Sequence, residues 1–204
     1  MKKTESALLI GLLLAILTTL LSGFTQFSKE CEQINSKLLR LHVIANSDNE
    51  IDQRIKLSVR DHILKTCGNL LFDGEEKEQA KADISARLPL IEAKANELLA
   101  EQGFSYTAHA SIEKRWFNTR TYNSVTLPAG RYDALCIRLG EAKGQNWWCV
   151  VFPPMCLPAA SEEIELSEVL TDDELRIVTE NGSYAIRFKL WELYERLKNR
   201  GKTE

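Results

Sequence analysis

Glycine and proline are scarce in this chain, 10 and 5 among 204 residues, which excludes a collagen-like repeat and a wholly disordered polymer. An excess of either charge is lacking too, since 26 Lys+Arg face 29 Asp+Glu for a net charge of −3. Nothing in that balance suggests a phosphate-tracking surface, and nucleic acid is not an expected partner. No Cys-x-x-Cys pair occurs and no histidine adjoins a cysteine, so zinc and thioredoxin-like chemistry have no support, and no cofactor or metal is expected. Internal repeats and low-complexity segments are absent. What remains, with 44% hydrophobic residues, suits one globular domain with a proper core.

A single long apolar run is present, at the N-terminus. Lys2 and Lys3 precede an almost unbroken stretch from Ala7 to Leu21, followed by Ser22-Gly23, the pattern of an export signal. The run lies between a signal-peptide core and the ~20 residues that span a bilayer, and Phe24 and Phe27 extend it. The small-x-small pattern of a cleavage site is poor here, so residues 1–27 read as a signal peptide or an uncleaved anchor. Residues 28–36 are polar and read as a stalk, and residues 37–200 as a single globular domain. Export makes oxidation of thiols possible. The five cysteines are Cys31, Cys67, Cys136, Cys149 and Cys156. Cys149 and Cys156, flanking Pro153-Pro154, are the candidate disulfide, while a buried free thiol is the alternative reading for each.

Along the globular part, Leu39, Leu41 and Val43 alternate with Arg40 and His42, the period of a strand. Ser47 with Glu50 has the form of a capping box, and Ile51, Ile55, Val59 and Ile63 follow as a helical stripe ending near Cys67-Gly68. A turn at Gly68–Gly74 leads to a second helix through Ile84, Leu88, Ile91, Ala95 and Leu98, with Pro89 inside it and Gly103 past its end. Strands are expected at Phe104–Ile112, Tyr132–Leu139 and Trp147–Phe152, the last apolar on both faces and hence covered on both. A ring-rich loop separates the first two. Ser161–Glu174 reads as acidic loop or short helix, and Asn181-Gly182 as a turn between a weak strand and a C-terminal helix through Leu190, Leu193 and Leu197. The sum is an α+β two-layer sandwich: a mostly antiparallel sheet of about four strands, a helix pair and a C-terminal helix.

Two segments carry the chemistry. His42, Asp48 and Asp52 could serve as metal ligands or an acid/base pair, which would make the chain an exported hydrolase or metal-dependent enzyme. The same acidic residues also suit a helix N-terminus, where they meet the positive end of the dipole, and no further ligands accompany them. Ser47 has no Gly-x-Ser-x-Gly elbow around it, so it is not an expected nucleophile. Adjacent Trp147 and Trp148 must point to opposite faces of a strand, so one of them is either covered by the last helix or an exposed anchor.

Leu39-Arg40-Leu41-His42-Val43-Ile44-Ala45-Asn46-Ser47-Asp48, with Asp52-Gln53, Lys56 and Val59-Arg60-Asp61, resembles the opening signature of the stage II sporulation protein R family. Leu127-Pro128-Ala129-Gly130-Arg131-Tyr132, then Gly144, Asn146-Trp147-Trp148-Cys149-Val150, Phe152-Pro153-Pro154 and Cys156, resembles its second signature. Arg187-Phe188-Lys189-Leu190 and Glu192 resemble the family's ending. Asn118 follows Phe117 where the family tends to have proline. The resemblance implies a protein made in the forespore and exported into the space between forespore and mother cell. There it would activate a membrane-embedded aspartic protease that processes the sigma-E precursor, acting as a ligand and not as an enzyme. Its partner contacts would then be sought among Arg40, His42, Asp48, Asp52, Arg60, Trp147 and Trp148.

Overall fold

The alternation of Leu39, Leu41 and Val43 with Arg40 and His42 leaves both faces of the strand buried in the computed structural model, which describes residues 3–71, 76–122, 124–156 and 166–199. The elements are α1 (Lys3–Lys37), β1 (Leu39–Ile44), α2 (Glu50–Leu71), α3 (Lys77–Glu101), β2 (Ala108–Phe117), β3 (Arg120–Tyr122), β4 (Val125–Leu127), β5 (Gly130–Leu139), β6 (Asn146–Phe152), α4 (Asp172–Thr179) and α5 (Asn181–Asn199). The fold is α+β, with a mostly antiparallel four-stranded sheet in the order β2-β5-β1-β6. Among the described residues only β1 and β5 run parallel, with Leu41 opposite Leu135, while β6 pairs antiparallel to β1 at the sheet's edge.

One face of the sheet, through Leu41, Val43, Leu135, Ile137 and Val151, packs on Ile55, Val59 and Ile63 of α2 and on Ile84, Ile91 and Ala95 of α3. The opposite face, through Ala134, Cys136 and Val150, packs on Phe27, Cys31 and Ile34 of α1, Ile177 and Val178 of α4, and Phe188 and Trp191 of α5. Burying these side chains in two separate layers supplies the apolar area that offsets chain entropy.

Several elements differ from the reading of their residues. Residues 28–36, expected as a polar stalk, are the closing turns of α1. Phe27, Cys31, Ile34 and Leu38 recur at intervals of four, three and four and are buried, so this segment belongs to the second core. Strand β2 starts later than expected, because the α3 helix closes through Phe104 N donating to Leu99 O, and it runs on into the ring-rich loop as far as Phe117. The weak strand before Asn181 is instead the helix α4, opened by a capping box in which Thr171 and Glu174 bond reciprocally. Pro89 lies inside a continuous α3. Helix α2 continues through Leu71, so the Gly68–Gly74 turn is partly helix and partly outside the described residues.

Candidate functional site

Strand β1 and helix α2 are joined by Ala45–Asn49, and this corner is held by one carboxylate. Asp52 is buried and accepts hydrogen bonds from Ser47 Oγ (2.6 Å), Asn46 Nδ2 (2.9 Å), Asn49 Nδ2 (3.1 Å) and Tyr106 OH (2.6 Å). Burial alone would raise its pKa, but those four donors outweigh burial and hold the carboxyl below its ordinary value. The helix cap is Asn49, whose Oδ1 accepts from Asp52 N at 2.7 Å, two residues later than the expected Ser47. Ser47 instead bridges Asn49 N and Asp52.

The same corner grips the β5–β6 loop, roughly a hundred residues downstream. Asn46 Oδ1 accepts from Glu141 N, Asp48 Oδ1 accepts from Gln145 N, and Lys56 Nζ donates to Gln145 O. A side chain at Gly144 would put its Cβ 2.2 Å from Ser47 O, so only glycine permits this approach. The two signature strings therefore form one constellation in space, with β1 against β6 and the Asn46–Asp52 corner against Gly140–Gln145.

On the other face of β1, Arg40 is fully buried. Its guanidinium lies 4.4 Å from the Phe117 ring centroid, 4.9 Å from Tyr132 and 5.5 Å from Tyr122, and it donates to Cys149 O (3.1 Å) and Tyr122 OH. Ring faces and neutral oxygens compensate the desolvated cation. His42, 7% exposed, bonds through Nε2 to Asn146 Oδ1 (2.9 Å) and stacks on Trp148 at 5.8 Å. Burial, with Arg115 and Arg138 nearby adding repulsion, lowers its pKa to about 4, although Asn146 and Glu113 oppose the shift. The imidazole is neutral at physiological pH.

Because the folded pKa lies below the ordinary 6.5, the unfolded chain binds the extra proton between those values. The contribution is complete above pH 6.5 and is lost as pH falls toward 4. It amounts to about 3 kcal/mol. Urea unfolding between pH 7 and pH 4.5 should therefore show a steep loss of stability that His42→Gln flattens. An identical slope in the variant would contradict this assignment.

Next to His42 opens a pocket of about 250 Å³ lined by Arg115, Trp116, Phe117, Asn118, Arg120, Asn146 and Trp148. Arg120 is exposed and its guanidinium sits 4.1 Å over the Trp148 ring, while Glu113 is shared by Arg115 (3.6 Å) and Arg138 (2.7 Å). Three arginines against one carboxylate give this rim a positive field. On the far side of β6, Trp147 is 38% exposed and lies under Arg60 of α2 at 4.2 Å, with Leu57, also exposed, one turn earlier on the helix. The tryptophans thus point to opposite faces, and both carry an arginine.

Of the candidate residues, Trp147, Trp148 and Arg60 reach the β6 edge, and Asp48 is exposed at the corner beside it. Arg40 and Asp52 are buried and can touch no partner directly; they position the residues around them. His42 projects from β1 toward Asn146, whereas Asp52 sits in the first turn of α2 bonded to Tyr106, so His42, Asp48 and Asp52 do not form a joint cleft, and the hydrolase or metal-enzyme reading has no support. Among the described residues no group of three or more His, Cys, Asp or Glu could hold a metal. Cys149 and Cys156 are joined as a disulfide with Cα atoms 5.9 Å apart, and Cys31 and Cys136 are buried free thiols. Sequence reasoning missed Arg115 and Arg120, which look like ordinary loop charges until β2 and β3 bring them beside Trp148. Tyr106 falls within the expected Phe104–Ile112 strand, and only the folded chain brings its hydroxyl to Asp52.

Comparison with known proteins agrees with this arrangement. Residues 35–162 match the family described as stage II sporulation protein R, a span holding β1 through β6 and both signature strings. A protein of Bacillus subtilis (strain 168) named stage II sporulation protein R is 34% identical over 160 residues, covering 74% of this chain and 71% of that one. No solved structure matches the chain.

Proposed function

The chain belongs to the stage II sporulation protein R family, and we propose that it carries the family's signal through the β6 edge of its folded domain. It is a sporulation signalling protein, not an enzyme: made in the forespore, it activates the protease that processes the sigma-E precursor in the mother cell. In the finer reading, the receptor is a membrane-embedded aspartic protease in the mother-cell membrane. The chain is exported across the forespore membrane into the space between the two cells and docks on the receptor's extracytoplasmic face. A helix long and apolar enough to cross a membrane precedes the domain and supports export or anchoring. Whether or not the run is cut, Phe27, Cys31 and Ile34 must remain, because they fill the second core.

The observation that carries the docking surface is the pair of Arg–Trp stacks, Arg60 on Trp147 and Arg120 on Trp148, on the two sides of one edge strand. Tryptophan and arginine are the side chains that most often dominate interfaces, and here each arginine holds its ring in place. The positive rim favours an acidic receptor loop. A ligand shifts its receptor's equilibrium only by binding one state better, so the surface must recognise the active form of the protease. Full-length chain should capture the receptor protease from detergent-solubilised membranes, and the Trp147→Ala, Arg120→Ala double variant should not. Equal capture by both would place the contact elsewhere.

A further inference from the structure

Helix α5 covers the second core with one face and shows a second apolar face to the outside. Phe188, Trp191 and Glu195 are buried, and Trp191 Nε1 donates to Ala129 O at 2.7 Å. Diametrically opposite, Ile186, Leu190, Leu193 and Leu197 are 75%, 52%, 55% and 57% exposed. Their spacing of four, three and four makes a continuous stripe along the helix. At 100° per residue, Lys189 and Arg196 border the stripe on one side and Tyr194 and Arg187 on the other, whereas Glu192, Glu195 and Lys198 fall toward the buried face. Arg196 pairs with Glu192, Lys198 with Glu195 and Glu32, and Arg187 lies over Tyr184. Long basic side chains that flank an apolar stripe can keep their charges at headgroup level while the stripe enters the acyl boundary.

We propose that α5 lies on an anionic phospholipid surface, its Ile186–Leu190–Leu193–Leu197 stripe inserted at the interface of the membrane that receives α1. Three observations choose lipid as the occupant. Phe24, where the exposed apolar run of α1 enters the body, packs edge-on against Tyr194 of α5 at 5.5 Å, so the stripe-bearing helix is joined to the membrane-seeking one. The flanking charges are basic on both sides, which matches anionic headgroups and would repel a second copy of the same helix. The stripe offers on the order of 400 Å², about half of what each partner contributes to a standard protein interface. The surface holds the domain flat against the membrane and thereby sets which way the β6 edge faces.

The test uses the full chain in vesicles of equal parts phosphatidylcholine and phosphatidylglycerol, with an environment-sensitive fluorophore at Leu190→Cys and, separately, at His109→Cys on exposed β2. Lipids brominated on the acyl chain should quench the Leu190→Cys label several-fold more than the His109→Cys label, and replacing phosphatidylglycerol with phosphatidylcholine should weaken that difference. Labelled Leu190→Cys with Leu193→Glu and Leu197→Glu added should lose the excess quenching while keeping its far-UV spectrum. Equal quenching of the two labels would overturn the proposal. So would excess quenching that disappears when the protein is diluted below one copy per vesicle, since a second chain would then be the occupant. Neither result depends on receptor capture, so the docking surface stands or falls separately.

Discussion

Sporulating cells carrying Trp147→Ala together with Arg120→Ala should fail to process the sigma-E precursor, although the protein is exported at a normal level. Trp147 is 38% exposed and Arg120 is a surface residue, and neither belongs to either core, so truncating both leaves the two packed layers intact. Each belongs to a residue type whose loss at the centre of an interface commonly costs 2 kcal/mol or more. Together the two would weaken docking by about 3–4 kcal/mol, roughly two to three orders of magnitude in affinity. Arg60→Ala should give a smaller defect, because Trp147 survives but loses the guanidinium that covers it. Immunoblots of precursor and processed sigma factor, beside the thermal midpoint of the purified variant, separate lost docking from lost folding. Normal processing in a stable double variant would remove the β6 edge from the account.

Asp52→Ala should be the most destabilising single change at the corner, costing about 3–4 kcal/mol in urea unfolding. Removing the carboxylate strands four donors, from Asn46, Ser47, Asn49 and Tyr106, in a buried setting. Tyr106 stays a donor throughout the accessible pH range, since burial reinforced by Asp52 pushes its phenol upward. Tyr106→Phe alone should cost about 1–1.5 kcal/mol, and combined with Asp52→Ala it should add almost nothing. Because the folded carboxyl has a lowered pKa, its contribution is present above the ordinary carboxylate pKa and fades as pH falls below it. The Asp52→Ala variant should also loosen the β5–β6 loop, which Asn46 grips, and so reduce signalling without touching a partner. Full additivity of the two substitutions would show that the network is not a unit.

Strands β1, β5 and β6 were legible because alternating or doubly apolar runs have a plain period and end at turn residues. Helices α2 and α3 were legible through intervals of three and four. The 28–36 segment misled because its polar majority hides Cys31 and Ile34, whose helical spacing with Phe27 is the informative feature. The segment before Asn181 reads as a weak strand, yet Thr171 and Glu174 have capping-box spacing and open helix α4. At the site, the resemblance picked out Trp147, Trp148 and Arg60, and the structure brings them to one edge. It also selected Arg40 and Asp52, which a linear string cannot distinguish from surface residues. Burial depends on the pleat of β1 and on the first turn of α2. Arg120 and Arg115 required tertiary information, since they reach Trp148 only across the β2–β3 connection.

The central claim is activation by docking, and reconstituted precursor cleavage tests it most directly. Receptor protease and sigma-E precursor in vesicles should give little product alone and a large rise when the full-length chain is added from the extracytoplasmic side. The Trp147→Ala, Arg120→Ala variant should produce no rise. Equal cleavage with and without the chain, or cleavage by the chain in the absence of the protease, would contradict the account.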